Sequence, residues 1–579
     1  MRAVALCVSL LATMPATGAT TLEAEPLPGA GRYERPVDYA AYAAPAAART
    51  PEPFEGRLVI RPRPGDAHVA VLRDDYGDAR DPDRRIAELP VMDVAFVLVG
   101  DSLVPVVAGL VRTPHPRWDY LVGEGRAWRS ADDRGYSRAA IPFALAEKNA
   151  NCVHNGVLSF LYRPDGHVSR VAYQVSGETC MYLKADFWGY ADAEYRPGDV
   201  EGRADAIREW RAAADRAVPR RSIAELARRY PGVDAGAYAD PNDVREVSTF
   251  GVVVDGTFYS GGCPTRAGEY PFCGQLVLPS YSLAKSVFAA LALMRLEHLR
   301  PGAARETVAA HVPECRASGR WDDVTLLDLL DMASGNFVSA APMADEASAD
   351  LDRGFFLATT HVEKVAHACN GYPRGAPPGT QFVYRTSDTY LLGVAMTDEL
   401  RALRGPGADL VGDLAWPGIW HGMGLPSRVA GVRRTEDARA QPFVGYGLYL
   451  EPGDVARIAW RLDQDATLPG LDERLYREAL QRDPARRGRP VAGAPDLLYQ
   501  HGFWAYRAEG LPGCDGPVYV PFLSGYGGLT LALMPNGVSY FYFSDGGEFS
   551  FARAVRASAR IRPYCADDVR HVTPTEATG

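Results

Sequence analysis

The chain has little lysine and no block of positive charge. Its 579 residues carry 62 basic side chains, and the lysines among them are Lys148, Lys184, Lys285 and Lys364. The formal net charge is -10, and charges of both signs are spread along the whole length. Binding to a phosphate backbone needs clustered positive charge, so we expect no nucleic-acid partner.

Long apolar runs are also missing. No stretch reaches the ~18 apolar residues that suit a membrane-spanning helix, so we expect no membrane span. The N-terminus is typical of a secretory signal, because Met1-Arg2 is positive, Ala3–Ala12 is apolar and Thr17–Ala19 is small. We therefore predict a signal peptide at 1–19 and a mature protein that is exported, either periplasmic or secreted.

Cysteine and histidine spacings typical of metal sites are absent. The chain has no Cys-x-x-Cys and no His-x-x-x-His, and we expect neither a metal nor a cofactor. Removal of Cys7 with the signal peptide leaves eight cysteines, an even number that indicates disulfides in an exported protein. Many pairings are open; we expect neighbours in sequence to pair, with Cys263 to Cys273 the safest.

The composition is that of a globular chain with more than one domain. Hydrophobic residues make up 47% of it and charged residues 23%, and its length exceeds that of one ordinary domain. Changes in sequence texture divide the chain after the signal peptide. We expect an extended leader at 20–56, a β-rich accessory domain at 57–200, a helical linker at 201–245, an α+β domain at 246–565 and a C-terminal tail at 566–579.

Local patterns predict individual elements. Gly156–Tyr162 and Val168–Val175 flank Pro164-Asp165-Gly166, which predicts a hairpin. Leu103–Val111 is a further β-rich run. Ser286–Glu297 is dense in Ala, Leu and Met, which predicts a long buried helix that starts close to Ser282.

Ser282 and Lys285 form the most informative pair of side chains in the sequence. They are three residues apart at the predicted helix start, so both project from one face. A serine hydroxyl is a weak nucleophile unless a neighbour accepts its proton. Burial and the positive helix end both disfavour a charged amine, so Lys285 is a plausible base.

Further segments follow this pair in a fixed order. They are Val324–Gly335, ending in Ser-Gly; Pro378–Gly393, containing Pro-Gly-x-x-Phe-x-Tyr; Gly445–Arg457; and Ser524–Gly528. Together they resemble the serine β-lactamase and penicillin-binding-protein superfamily, especially its class C-like branch with esterases and 6-aminohexanoate-dimer hydrolases. The resemblance covers about 246–565. It implies an α+β fold, an antiparallel sheet flanked by helices with a helical subdomain, preceded here by the β-rich accessory domain.

The resemblance also implies roles for individual residues. Ser282 would be the acylated nucleophile, Lys285 its partner and Tyr384 a phenolic acid or base. Gly525 would lie on the strand beside the substrate, and the backbone N–H groups of Ser282 and Tyr526 would form the oxyanion hole. The substrate would be a small ester or amide.

The sequence departs from the family pattern at two motifs. Thr386 stands where the Tyr-x-Asn motif has its substrate-orienting Asn, and the register Ser387-Asp388-Thr389 half-matches a related Ser-Asp-Asn motif. Leu523-Ser524-Gly525 replaces Lys-Thr-Gly, whose lysine helps to hold a β-lactam carboxylate. We therefore expect poor β-lactamase activity. Trp504 and His501 are candidate pocket residues, although a histidine satisfied beside aromatic packing is an equal interpretation of His501.

Two alternative functions remain open at this point. Gly100-Asp101-Ser102-Leu103 and Asp568-Val-Arg-His571 match the opening and closing motifs of GDSL-type esterases, although a turn at a strand edge explains Ser102 more simply. A non-catalytic binding or scaffolding protein that kept the fold is the second alternative. The prediction we favour is an exported serine hydrolase that works through Ser282, Lys285 and Tyr384.

Overall fold

The computed structural model describes residues 36–63, 69–239, 245–464, 468–549 and 551–565. The predicted signal peptide, the first part of the leader and the tail at 566–579 lie outside the described residues.

The accessory region is built on one ten-stranded sheet. Its strands are β1 (Glu55–Pro62), β2 (Val69–Asp74), β3 (Met92–Val99), β4 (Ser102–Pro105), β5 (Trp118–Val122), β6 (Gly125–Trp128), β7 (Ser137–Glu147), β8 (Val153–Tyr162), β9 (Val171–Thr179) and β10 (Ala185–Pro197). The order is β1-β3-β4-β6-β7-β8-β9-β10-β2, with β5 on β7, and every pairing is antiparallel. The sheet closes on itself because β1 pairs with both β3 and β10.

The predicted hairpin is present as β8 and β9, joined by a turn in which Gly166 has a φ of +99°. The expected strand at Leu103–Val111 is shorter than predicted. Only β4 is extended, because Pro105 ends it and Gly109 then adopts a φ of +99°.

The segment after the first sheet contains two helices and one strand. They are α1 (Arg203–Asp215), β11 (Arg220–Ser222) and α2 (Ile223–Arg229). Ser222 and Glu225 form the capping box that opens α2. β11 pairs in parallel with a strand of the second sheet, so this segment also contributes to that sheet.

The second sheet has nine strands in the order β11-β13-β12-β23-β22-β21-β20-β19-β18. The strands of this half of the chain are β12 (Val247–Val254), β13 (Thr257–Ser260), β14 (Pro264–Thr265), β15 (Gly268–Glu269), β16 (Leu278–Pro279), β17 (Tyr449–Leu450), β18 (Arg489–Val491), β19 (Ala494–Gln500), β20 (Phe503–Ala508), β21 (Val518–Gly525), β22 (Leu529–Met534) and β23 (Val538–Ser544). β14 pairs with β15 and β16 with β17 in two small separate sheets.

Helices cover the second sheet. They are α3 (Leu291–Leu299), α4 (Val308–His311), α5 (Pro313–Arg316), α6 (Leu326–Leu330), α7 (Ala349–Leu351), α8 (His361–Asn370), α9 (Thr386–Arg404), α10 (Pro452–Gln464), α11 (Glu473–Ala479) and α12 (Ala552–Ser558). Lys285–Ala290, Asp352–Phe356 and Leu410–Trp420 are π-helical. Short 3-10 turns occur at Tyr39–Tyr42, Ala131–Asp133, Ala235–Tyr238, Cys273–Gln275, Ala303–Arg305 and Ser427–Ala430.

The helix that starts near Ser282 is the centre of the largest hydrophobic core. Nearly every side chain from Leu283 to Leu296 is buried there. The predicted helix is present, but its first part is a π-helical segment, and α3 begins only at Leu291. Burial of a segment this apolar anchors the residues at its N-terminus.

Four disulfides join cysteines that are neighbours in sequence. They are Cys152–Cys180, Cys263–Cys273, Cys315–Cys369 and Cys514–Cys565. The expected neighbour pairing is confirmed. In the described part of the chain, no helix combines the length and the apolar character needed to cross a membrane.

Candidate active site

Ser282 lies at the turn between a short strand and the buried helix. β16 pairs with β17, and the chain then bends at Tyr281, whose φ of +39° is unusual for a residue with a Cβ. Helical structure begins at Leu283. The hydroxyl of Ser282 is therefore held next to the N-terminus of a fixed element.

Lys285 points from the first turn back to Ser282. Its Nζ lies 2.9 Å from Ser282 Oγ, 2.9 Å from Thr386 Oγ1 and 3.2 Å from the carbonyl oxygen of Gly445. The residue is 2% exposed. As an ammonium group, Lys285 can donate to all three oxygens; as a neutral amine, it can turn its lone pair to Ser282 and accept the hydroxyl proton.

Burial lowers the pKa of Lys285 to about 8, although the negative charge of Glu346 opposes this shift. Lysine in water has a pKa near ~10.4 and is almost fully charged at neutral pH. A pKa of about 8 gives a usable fraction of neutral amine in this site.

Tyr384 lies over the same amine. Lys285 Nζ is 4.9 Å from the centre of the Tyr384 ring. Trp504 on β20 stacks on Tyr384, with ring centres 5.8 Å apart at 27°, and meets Phe382 edge-on with ring centres 5.7 Å apart. Trp504 thus borders the candidate site and fixes the phenol of Tyr384.

The phenol of Tyr384 stays protonated. Burial and the charge of Glu346 raise its pKa well above the ordinary value, and a hydrogen bond with Ser282 offsets only part of that shift. A neutral phenol donates a proton or a hydrogen bond far more readily than it accepts a proton. In this arrangement the phenol can donate a proton, and the neutral amine of Lys285 can accept one.

Thr386 occupies the position of the missing Asn and connects Lys285 to an acidic residue. Glu346 accepts hydrogen bonds from the N–H of Thr386 at 2.7 Å and from its hydroxyl. Sequence reasoning missed Glu346, because it lies in a loop 40 residues before Thr386 and belongs to no motif that we recognised.

The alternative register, Ser387-Asp388-Thr389, faces away from the amine. Asp388 is buried and pairs with Arg385, which also donates to Ser334 Oγ at 2.8 Å. Arg385 lies over the ring of Tyr372 at 4.0 Å. These contacts give Asp388 a structural ion pair, and the residues that meet Lys285 are Tyr384 and Thr386.

Gly525 brings the end of β21 against the serine turn. A Cβ at this position would lie 2.9 Å from the carbonyl oxygen of Ser280 and 2.9 Å from Leu283 Cδ1, so only glycine fits without displacement. Tyr526 follows directly, and its half-exposed ring contacts that of Tyr281 at 5.8 Å. Among the turn and loop backbone hydrogen bonds of the described residues, none is donated by the N–H group of Ser282 or of Tyr526.

The accessory sheet also reaches the serine turn, through Asn151 in the β7–β8 loop. Its Oδ1 accepts from the N–H of Tyr281 at 2.6 Å and of Gly447 at 3.1 Å, and it lies 3.2 Å from Ser280 Oγ. Its Nδ2 donates to the carbonyl oxygen of Leu448 at 3.3 Å. No sequence pattern indicated this contact, which joins residues 130 positions apart.

Ser102 and His501 have partners unrelated to this site. Ser102 Oγ accepts a 2.6 Å hydrogen bond from Arg126, a cation that cannot take its proton. The two ring nitrogens of His501 lie 2.9 Å from Asp331 and 3.2 Å from Glu478. This is a histidine with both hydrogen-bonding positions satisfied, which was the alternative to a pocket residue. Asp568 and His571 lie outside the described residues.

One group of carboxylates has the spacing of a metal site. Single oxygens of Glu178, Glu246 and Asp545 lie within 4.8 Å of one another. Lys184 forms ion pairs with Glu246 and Asp545, and Arg73 lies 2.9 Å from Glu178. These cations neutralise the group, which joins the two sheets through salt bridges.

The fold and the site define an α+β protein with a lysine-paired serine at the start of a buried helix. The chain belongs to the beta-lactamase family of serine hydrolases, whose model matches residues 242–561. The expected family and fold class are thereby confirmed.

The chain is similar over part of its length to solved structures of low sequence identity. A putative 6-aminohexanoate-dimer hydrolase from Bacillus anthracis is 17% identical, with 55% of this chain and 79% of that chain covered and a TM-score of 0.41. The D-alanine carboxypeptidase AmpC from Burkholderia cenocepacia is 18% identical, with 62% and 99% covered and a TM-score of 0.37. EstCE1, a hydrolase with promiscuous acyltransferase activity, is 16% identical, with 62% and 100% covered and a TM-score of 0.40. No curated protein matches the chain.

Proposed function

We propose that this protein is an exported hydrolase that cleaves small esters or amides through an acyl-enzyme on Ser282. The observation that carries the proposal is the 2.9 Å distance between Lys285 Nζ and Ser282 Oγ at a buried amine. A neutral amine at this distance accepts the hydroxyl proton as Oγ attacks the substrate carbonyl carbon.

The surrounding groups complete the reaction. The N–H groups of Ser282 and Tyr526 stabilise the oxyanion that forms when the carbonyl bond opens. The alcohol or amine leaves with a proton from Tyr384, which recovers it from the Lys285 ammonium. Water then attacks the acyl-enzyme as the neutral Lys285 amine accepts its proton. Lys285 returns that proton to Ser282 Oγ as the acyl–oxygen bond breaks, so the carboxylic acid leaves and the serine hydroxyl and neutral amine are restored.

Export is part of the proposal. A predicted signal peptide begins the chain, and the four disulfides are typical of a protein that folds in an oxidising compartment.

Labelling with a fluorophosphonate probe followed by peptide mapping tests the nucleophile directly. We expect the label on Ser282, and loss of both label and ester hydrolysis in folded Ser282→Ala and Lys285→Ala variants. Ser102→Ala is the matched control and should keep both. A label on Ser102 would instead support the GDSL-type alternative, and a folded protein with neither label nor turnover would support the binding-protein alternative.

A further inference from the structure

Glu346 is the acidic side chain closest to the Ser282–Lys285 pair in the hydrogen-bond network. A continuous chain of contacts runs from Ser282 Oγ through Lys285 Nζ to Thr386 Oγ1 and ends on the Glu346 carboxylate. The second oxygen of that carboxylate accepts from the N–H of Thr386 at 2.7 Å. Both carboxylate oxygens are therefore fixed by one residue.

The position of Glu346 at a helix start explains how a carboxylate is tolerated there. Thr386 is the first residue of α9, a helix of 19 residues. N–H groups and the positive end of the helix dipole stabilise a negative charge at this place. The carboxylate stays one hydroxyl group away from the amine that acquires a positive charge in the proposed reaction.

We propose that Glu346 is a positioning residue that holds Thr386 against Lys285 and stabilises the ammonium formed when Ser282 loses its proton. The proposal rests on the proposed function, because it assigns Glu346 a part in the same proton transfer. Thr386, which stands in the place of the motif's Asn, brings the Glu346 carboxylate to within one hydroxyl group of the Lys285 amine.

Among the described residues, Lys285 and Arg385 are the charged groups that act on Glu346; they oppose its burial, which raises the pKa of the carboxyl group. The charge of Glu346 in turn acts on Tyr372, Tyr384 and Tyr446. Arg385 is already paired with Asp388. The tyrosines stay neutral near pH 8 because burial raises the pKa of each one. We assign the acid limb of the pH–rate profile, the fall in rate towards low pH, to protonation of Lys285.

The test is the pH dependence of kcat/KM for a nitrophenyl ester in the full-length protein and in Glu346→Gln. Loss of the negative charge removes the group that favours the Lys285 ammonium. The apparent pKa of the acid limb, near 8 in the parent, should therefore be lower by about one pH unit. The plateau rate should fall about threefold to tenfold, because the ammonium loses its partner. Glu346→Asp should restore part of both values.

Two further variants separate the charge from the hydroxyl bridge. Thr386→Val removes the hydroxyl bridge and keeps the Glu346 carboxylate. The plateau value of kcat/KM should therefore fall, while the apparent pKa of the acid limb should change less than in Glu346→Gln. Glu473→Gln, an exposed carboxylate on α11 that pairs with Arg477, should change neither value. Thermal melts and circular dichroism check that each variant is folded.

A second readout does not depend on turnover. With only four lysines, isotope labelling of the lysine side chains allows the Lys285 signal to be assigned by substitution and titrated by NMR. The pKa of Lys285 should be lower in Glu346→Gln than in the parent. An unchanged limb, or an unchanged Lys285 titration in a folded variant, overturns the role of Glu346. Failure of the parent protein to label at Ser282 would instead refute the proposed function.

Discussion

Asn151 Oδ1 accepts a 2.6 Å hydrogen bond from the backbone N–H of Tyr281, the residue that precedes Ser282. Asn151 lies in the loop between β7 and β8 of the accessory sheet, and Tyr281 adopts a positive φ directly before Ser282. A strained backbone of this kind persists only when its surroundings hold it. The accessory sheet therefore takes part in building the candidate active site.

Removal of this contact should slow the reaction more than it weakens substrate binding. Asn151→Leu keeps the volume and deletes the hydrogen bonds, so Tyr281 can relax and displace Ser282. We expect kcat for a nitrophenyl ester to fall at least about tenfold with little change in KM, since small misplacements of a nucleophile are costly. Asn151→Asp keeps the acceptor oxygen and should retain more activity.

The matched control is Asn155→Leu. The Asn155 side chain also crosses between the two sheets, where it accepts from the N–H of Val277 and donates to its carbonyl oxygen, both at 2.9 Å. It makes no bond to the serine turn itself. Equal losses of activity in both variants would mean that general docking of the sheets, and not the Tyr281 contact, is what matters.

Substrate preference should follow from the strand that ends in Gly525. On β21, Leu523 and Ser524 stand where the family's motif has its lysine and threonine, and Leu523 is fully buried. This segment offers no cation to a β-lactam carboxylate. We expect kcat/KM for short acyl nitrophenyl esters to exceed that for a chromogenic cephalosporin by at least about a hundredfold. A preference for the cephalosporin would contradict this prediction.

The parts of the site that sequence alone predicted are those fixed by local spacing. Ser282 and Lys285 share one helical turn, and Tyr384 and Thr386 lie in one short motif. Glu346 and Asn151 were missed because they reach the site from distant loops, and tertiary packing alone decides where such loops end. The accessory sheet shows the same division. Local patterns predicted the hairpin of β8 and β9, but no local pattern indicated that β1 pairs with β10 and closes the sheet.

His501 should make stability depend on pH. Burial alone would lower its pKa, but the carboxylates of Asp331 and Glu478 outweigh burial and raise the pKa to about 9. A folded-state pKa above the unfolded value of ~6.5 gives stability that is fully present below pH 6.5 and is lost as the pH rises through 9. In urea titrations, the free-energy advantage of the parent over His501→Gln should shrink by about 3 kcal/mol between pH 6 and pH 10. An advantage that stays constant with pH would contradict the ion pairing.

The Cys263–Cys273 disulfide and Asn155 restrain the same segment, the chain that leads into β16 and Ser282. Replacement of both cysteines by serine should lower the free energy of unfolding by about 2–3 kcal/mol, because a short loop is no longer closed in the unfolded chain. Activity should fall only modestly in that variant, since Asn155 still holds Val277.

Combining the serine replacements with Asn155→Leu removes both restraints at once. We expect the combined variant to lose more activity than the product of the two separate losses, because neither restraint remains to compensate for the other. The measurement is a double-mutant cycle on kcat below the melting temperature of every variant. Strictly multiplicative losses would show that the disulfide and Asn155 act on Ser282 independently.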